Sequence, residues 1–588
     1  MRLTLRLLSS VVQKTPFYIT TPIFYVNAAP HLGHLYTAVV ADAIQRFEKL
    51  TNPDCHVIFS TGTDEHGTKI QQAASKAKLS LPEYCTSISN EYQQLFKEFN
   101  VNYTDFIRTT EERHKTAVRH FWNRLVEQDY VYKSKYSGWY SVNDEAFVPE
   151  IQVKDELRDG ENVRLYAFIY MVHKHIEVKV SIESGHKLEW TEETNYMFRL
   201  SAFKSHLQAW LKNDGVITPA KFQKQLQEML ESDAYLPDIS VSRPSDRVHW
   251  AIRVPNDEEQ SIYVWLDALI NYLTVVGYPD QERMKTLRAW PADVHVVGKD
   301  ILKFHGIYWP AFLMAIKWHP PRRLVCHSHW TVDGNKMSKS LGNVVCPRGS
   351  PVGNEGLRYL LLREATMASD ANYSETKLIN VANSELADTL GNLASRCCGL
   401  ALNPRHEFPP LHITSNLLCY LHLLHKLLIP TDTCHTHYKN YQFYKAVDAV
   451  IKVLHIANLF FENTKPWELR KKPESQKELD VILHITMETL RICGIILQPI
   501  IPEMMTKLLD KLQIGKDCRS WQHSETPSWR LKGAIYETKN IQSGKFVLFQ
   551  RIYEKKVAQS DPRKNVEAEQ KNVQEKKKKA QKKKVTAA

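Results

Sequence analysis

Two short signatures about 300 residues apart constrain this chain more than any other feature. His31-Leu32-Gly33-His34 lies near the start and Lys336-Met337-Ser338-Lys339-Ser340 past the middle. Each stands in a βα-type segment, so a fold that uses both must bring distant strands to one edge. Phe17-Tyr18-Ile19-Thr20-Thr21-Pro22 reads as a strand stopped by proline, and the first signature then opens an Ala/Val-rich helical run through Arg46. Cys55-His56-Val57-Ile58-Phe59-Ser60 is a second apolar run, followed by Thr61-Gly62-Thr63-Asp64-Glu65-His66-Gly67 and another helical stretch. This repetition predicts an α/β doubly wound parallel sheet, whose ligands sit beyond the carboxyl ends of the strands. Both loops should therefore face one crevice.

Between 120 and 243 the alternation is lost and the chain is dense in Tyr, Trp and charge, which reads as an inserted module. It resumes with Tyr263-Val264-Trp265-Leu266-Asp267 and with Val294-His295-Val296-Val297-Gly298-Lys299-Asp300, so the Rossmann-type core is split by the insertion. From about 376 the apolar residues recur at three- and four-residue steps, Leu386, Leu390, Leu393 and Cys397, then Val447, Val450, Ile451 and Leu454. That spacing predicts a helical bundle to about Leu512. From Lys571 to Lys584 there are eight lysines and one glutamate, a composition that buries no core. A solvated tail and an RNA-touching tail both fit it.

The net charge of +12 favours a polyanionic partner such as nucleic acid. Ten scattered cysteines with no C-x-x-C pair fit a reducing compartment better than a disulfide framework. No stretch approaches the roughly 18 to 20 apolar residues that cross a bilayer, so no membrane role is expected. The first 15 residues carry Arg2, Arg6 and Lys14, several leucines and no acid. They have the character of a mitochondrial transit peptide, against the plainer reading of a basic, frayed terminus.

The chemistry starts at Gly33, which lets backbone approach a phosphate closely, while His31 and His34 can donate to phosphate oxygens at a helix N-terminus. Lys336 and Lys339, with Ser338 between them, sit in a loop punctuated by Gly334 and Gly342 and can swing over a triphosphate. The stripe Ile301, Phe304, His305 and Tyr308 reads, on spacing alone, as ordinary core. Cys434-His435-Thr436-His437 reads as a loop between bundle helices, because nothing nearby completes a tetrahedral metal site.

From about residue 16 to 512 the chain resembles the methionyl-tRNA synthetases of the bacterial type found in mitochondria. Beyond the two signatures, the likeness rests on Thr61–Gly67, Tyr263-Val264-Trp265-Leu266-Asp267-Ala268, Gly298-Lys299-Asp300-Ile301 with Phe304-His305, and Asn392-Leu393-Ala394-Ser395-Arg396. The resemblance implies a class I Rossmann-type parallel sheet split by a connective insertion and followed by an all-α anticodon-binding bundle. The expected divisions are 1–15 transit peptide, 16–119 and 244–332 catalytic halves, 120–243 insertion and 333–375 lysine-signature linker. The bundle follows over 376–512, then an extension over 513–553 and a basic tail over 554–588.

It further implies activation of methionine by ATP with Mg²⁺, then transfer to the 2′-hydroxyl of the terminal adenosine of tRNA(Met). His31, His34, Lys336, Lys339 and Arg243 match catalytic positions, and Gly33, Gly298 and Ser338 further ATP contacts. Ile23, Tyr25, Asp64, Trp265, Ala268, Tyr272, Ile301, Phe304, His305 and Trp309 match the amino-acid pocket, with Asp64 holding the α-ammonium. Asn392, Arg396 and Trp467 match anticodon contacts. Aromatic and aliphatic walls suit a polarizable thioether, and unstacked bases suit Trp, Arg and Asn. The matrix is the expected compartment and a monomer the expected state.

The chain departs from the family at Leu269, where relatives often carry proline. It departs again at Ser141 and Asp144, which replace zinc-ligand cysteines, so no structural zinc is expected. The apolar run Leu165-Tyr166-Ala167-Phe168-Ile169-Tyr170-Met171 is a third departure, fitted by an extra hairpin or by an erroneous gene model. Another class I synthetase, a small-molecule nucleotidyltransferase and a catalytically dead RNA-binding paralogue are the competing readings.

Overall fold

Proline does not end the first strand. Phe17–Tyr25 (β1) runs through Pro22, and the ladder to its neighbour shifts between Thr20 and Ile23. Proline has no N–H to give, so the strand bulges there and then resumes pairing. The computed structural model describes residues 15–141, 146–148, 150–159, 175–182, 185, 187–232, 236–337, 342–412, 420, 431–526 and 539–553. The expected leader to residue 14, Asp144, the apolar run 165–171, Ser338, Lys339 and the tail from 554 lie outside them. The elements below belong to the unit Met1–Gln550; of the other, Arg551–Ala588, only residues 551–553 are described.

Helix α1 (Leu32–Thr51) follows β1, and β2 (Val57–Asp64) is buried along its whole length, as a central strand must be. It extends through the Thr-Gly-Thr-Asp segment that the sequence pattern places in a loop. Gly62 permits this, since a Cβ there would lie 1.9 Å from the carbonyl oxygen of Ile107 on β3 (Asp105–Arg108). β4 (Ile217–Thr218), β5 (Val294–Gly298) and β6 (Leu324–His327) complete a six-stranded parallel sheet in the order β3-β2-β1-β5-β6-β4. β1 pairs with both β2 and β5, so the strand order reverses at the β1/β5 boundary and opens a crevice at their carboxyl ends.

The stretch 120–243 is not one inserted module. Val131–Ser141 and Glu189–Phe198 form a long antiparallel ladder extended by Ala146–Val148 and Ile239–Ser240, whereas β4, within the same stretch, belongs to the core sheet. Two residues of strand are too few to leave a period in sequence. The arms Val153–Asp159 and His175–Ser181, which flank the apolar run, pair antiparallel.

Beyond the sheet, α2 (Gly353–Glu364) leads to helical segments Glu375–Val381, Ala382–Gly391 and Asn392–Cys398. The bundle continues with α3 (Phe443–Thr464), α4 (Gln476–Ile496) and α5 (Pro502–Lys511). The periodic residues Leu386, Leu390, Leu393, Cys397, Val447, Val450, Ile451 and Leu454 are all buried, as their spacing requires. Residues 431–439 are helical rather than a loop. Cys434 is wholly buried there and His435 packs beside Phe47 and Trp521.

Arg358 on α2 joins core to bundle. Its guanidinium is fully buried and donates to Asp42 on α1 (2.7 Å), to the carbonyl of Phe99 (3.0 Å) and to that of Ile500 in the turn before α5 (3.2 Å). Burial pushes the Asp42 carboxyl up, but Arg46 and Arg358 more than offset this and hold it below its ordinary value of 3.8. Arg358→Ala leaves that carboxylate short of a partner and should cost about 3 to 5 kcal/mol in chemical denaturation. Because the Asp42 pKa is depressed on folding, the pair's contribution is complete above the ordinary carboxylate range and fades as pH falls below about 4. The wild-type and Arg358→Ala stabilities should converge there.

Candidate active site

The first signature builds its own helix cap. His31 precedes α1 in extended backbone, its Nδ1 accepts from Gly33 N–H (3.0 Å), and its own N–H donates to Nδ1 of His34 (3.2 Å). Both Nδ1 atoms are acceptors, so each neutral ring carries its proton on Nε2, the donor it can present to an anion. The rings stack at 3.8 Å, and Tyr92 braces the pair with its hydroxyl 3.1 Å from His34 Nδ1. No acid stands in the first turn of α1, so the helix N-terminus keeps its affinity for negative charge. Gly33 makes the cap possible, because a Cβ would lie 2.9 Å from His31 Cε1.

Across the same edge, Tyr25 and Asp64 are ladder partners at the carboxyl ends of β1 and β2, with Ile23 two residues earlier. The Trp265 ring stacks on Phe304, six residues past the end of β5, at 3.6 Å and 12°. Residues Phe304–Tyr308 form a π-helical turn, in which Trp309 N–H bonds Phe304 O. Such turns insert one extra residue and re-aim side chains, commonly at functional sites.

His305 Nδ1 lies 3.0 Å from the Ile301 carbonyl, which can only accept, so Nε2 is unprotonated and Tyr272 O–H donates to it at 2.7 Å. Burial pushes His305 down to about 4, so the ring is neutral at physiological pH. His295 stacks on Tyr272 at 4.2 Å, accepts from Trp309 Nε1–H (3.3 Å) and bonds Thr20 (2.8 Å). Trp309 is fully buried and lies a layer behind Tyr272, while Ala268 and Leu269 are buried and Ile301 half-buried.

Gly298 ends β5, and two residues on Asp300 pairs with His329 (3.1 Å). Lys336 is exposed, with Nζ 3.7 Å from Asp300, which ties the second signature to the end of β5. The two signatures therefore flank one crevice.

Arg243 is caged against Tyr263, two residues before Trp265. It is 3% exposed, donates to Ser240 Oγ and Ser242 O, and is enclosed by the rings of Tyr140, Phe147 and Tyr263. Those rings come from three separate segments, so nothing in the local sequence marks the cage. Sequence reasoning also missed Tyr92, His295 and the buried Glu65, which accepts from Thr63, Arg108 and Thr110 behind the Asp64 loop. Only Glu65 and His295 carry a signal, through their places in the quoted motifs. No cluster of three or more metal-ligating residues occurs among the described residues, and no described helix is long and apolar enough to cross a membrane.

In the bundle, Asn392 and Arg396 lie one turn apart on one helix face. The Arg396 guanidinium sits 4.9 Å from the Phe461 ring and 5.4 Å from that of Trp467, and pairs with Glu462 at 2.5 Å. Asn392 is exposed, while Arg396 and Trp467 are partly so. Another π-helical segment, Ala382–Gly391, immediately precedes this face.

A split parallel sheet with a histidine-capped helix, a lysine-signature loop and a helical bundle defines a class I aminoacyl-tRNA synthetase. The family model described as tRNA synthetases class I (M) matches residues 17–398, and that of the anticodon binding domain of methionyl tRNA ligase matches 421–565. The chain belongs to the methionyl-tRNA synthetase family. It is 45% identical over 522 residues to the human protein named methionine–tRNA ligase, mitochondrial, covering 86% of this chain and 85% of that one. It is 43% identical over 560 residues to the Takifugu rubripes protein of the same name, covering 93% and 91%. Among solved structures, Mycobacterium tuberculosis methionyl-tRNA synthetase in complex with methionyl-adenylate superposes with a TM-score of 0.81 at 34% identity, covering 92% of this chain and 100% of that one.

Gly33→Ala tests the cap. Alanine suits a helix better than glycine by about 1 kcal/mol and loss of the cap costs about as much, so stability should change little. Displacing the His31 ring should nonetheless lower the rate of methionine-dependent ATP–pyrophosphate exchange about 10- to 100-fold.

Proposed function

We propose that this chain is the methionine–tRNA ligase of mitochondria, joining methionine to ATP as methionyl-adenylate and passing the methionyl group to the 2′-hydroxyl of the terminal adenosine of tRNA(Met). The observation that carries this is the convergence, on one edge of the sheet, of the stacked His31/His34 pair, Lys336 and the Trp265–Phe304–Tyr272–His305 wall. Asp64 takes the α-ammonium of methionine. The stacked rings and the neutral Tyr272–His305 pair offer the thioether an apolar, polarizable surface. Ile23, Tyr25, Ala268 and Ile301 complete the wall, with Trp309 supporting it from behind.

The methionine carboxylate attacks the α-phosphorus and pyrophosphate leaves. The chain's part is positioning and charge neutralisation, by His31 and His34 at the helix N-terminus and by Lys336 and Lys339 of the second signature. Gly33, Gly298 and Ser338 contribute close backbone and hydroxyl contacts to the nucleotide. Mg²⁺ would enter as part of the MgATP substrate. Arg243 acts indirectly, by fixing the stem of the insertion against Tyr263, two residues from Trp265. Anticodon bases stack on Trp467 and bond Arg396 and Asn392. The chain works in the matrix, as a monomer and without structural zinc, after removal of a leader near residue 15; its domains divide as the motifs divide them, except that β4, within 120–243, belongs to the core sheet.

Exchange of pyrophosphate into ATP with methionine, and with no other amino acid, tests the activation step. Lys336→Ala should reduce it about 100-fold or more while tRNA binding persists. Trp467→Ala should leave exchange intact and raise the KM for tRNA about 10- to 100-fold, the worth of one stacked base.

A further inference from the structure

Behind the crevice, two loops that converge on it are tied by one carboxylate. Asp267 is 1% exposed, two residues after Trp265 on the segment Val264–Leu269. Its Oδ2 accepts from His66 Nδ1 at 2.6 Å and its Oδ1 from His114 Nε2 at 2.8 Å. His66 stands two residues after Asp64, and its backbone N–H points at the Asp64 carboxylate from 3.5 Å.

The far side of His114 is also engaged. Its Nδ1 lies 3.1 Å from the Thr274 hydroxyl, and that hydroxyl donates its one proton to the Ile270 carbonyl at 3.1 Å. Both nitrogens of His114 are thus engaged, Nε2 by the carboxylate and Nδ1 by the Thr274 hydroxyl, which fixes the ring. A buried carboxylate needs such a partner, because an unpaired charge is not tolerated in the interior. Burial pushes the Asp267 carboxyl up, but His66 and His114 more than offset this and hold it at about 2, so it stays ionised. Trp250 clamps the outer side of the same loop: its carbonyl accepts from Gly67 N–H (3.0 Å), and its ring packs edge-on to His66.

We infer that Asp267 is a positioning residue for the amino-acid substrate. Through His66 it fixes the loop that carries Asp64, and through its own helix it fixes Trp265, so the ammonium partner and the aromatic wall are held at one spacing. His114 anchors the carboxylate from below. None of these three side chains is needed for the nucleotide side of the crevice. The inference rests on Asp64 and Trp265 being part of the methionine pocket, as proposed above.

The test is steady-state exchange with methionine and ATP varied separately. Asp267→Asn and His66→Ala should each raise the methionine KM about 10-fold or more, with the ATP KM and the rate at saturating methionine within about 3-fold of wild type. His66→Asn places an amide N–H where Nδ1–H stood and should bring the methionine KM back to within about 3-fold of wild type. If Asp267→Asn does not fold, the two His66 variants decide the matter. An unchanged methionine KM in folded Asp267→Asn and His66→Ala overturns the inference, and so does an equal rise for both substrates. Asp64→Asn separates the two readings. If it leaves the methionine KM unchanged, the pocket assignment fails; if it raises that KM while Asp267→Asn and His66→Ala do not, only the positioning role fails.

Discussion

Everything in the catalytic half depends on the parallel pairing of β1 with β5. These strands are about 275 residues apart in sequence, yet Ile19 and Thr20 stand opposite Val294 and His295. Side chains reinforce the ladder, since Tyr18 N–H donates to Asp293, and Thr20 bonds His295. Without this seam the histidine signature and the π-helical turn would belong to separate halves. With it, the loops after β1, β2 and β5 open on one crevice, where ligands of doubly wound sheets bind.

The two sides of that crevice are built on different electrostatic rules. On one side are a helix N-terminus with no acid in its first turn, two imidazoles with Nδ1 used as acceptors, and Lys336. That side has the character of an anion site. On the other, His305 is pushed low by burial and Tyr272 is pushed high for the same reason, so both remain neutral. The hydrogen-bond chain from Tyr272 through His305 to Ile301 leaves no charge facing the aromatic wall. Beneath both sides runs a shell of buried polar pairs, Asp42 with Arg358, Glu65 with Arg108 and Asp267 with its histidines. Each is costly to bury and is paired, which fixes geometry that hydrophobic packing alone would leave adjustable.

Much of this was legible in the chain itself, where the determinant is local. A histidine at a helix N-cap, an apolar strand or an apolar stripe at helical spacing depends on neighbours in sequence, and each appears where its pattern places it. What was not legible is set by contacts between distant segments. Two-residue β4 joins the core sheet through Leu324 and Val325, with no period of its own to announce it. The π-helical turn at Phe304 shares its apolar spacing with an ordinary helix, so sequence shows the stripe but not the shift that stacks Phe304 on Trp265. Arg243 reads as a residue of the site because of its motif, and only the convergence of Tyr140, Phe147 and Tyr263 reveals a cage. Pro22, a strand breaker by rule, is absorbed by a bulge because β2 resumes pairing beyond it.

In the proposed function, strands from both halves of the split sheet close around a single methionyl-adenylate. Hydrogen–deuterium exchange of the full chain, with and without a non-hydrolysable methionyl-adenylate analogue, tests it directly. Joint protection is expected of the segments around His31–Thr37, Asp64–Gly67, Trp265–Tyr272, Gly298–Trp309 and the stretch that follows Asn335, all with one concentration dependence. Tight binding with protection confined to one half of the sheet would contradict it.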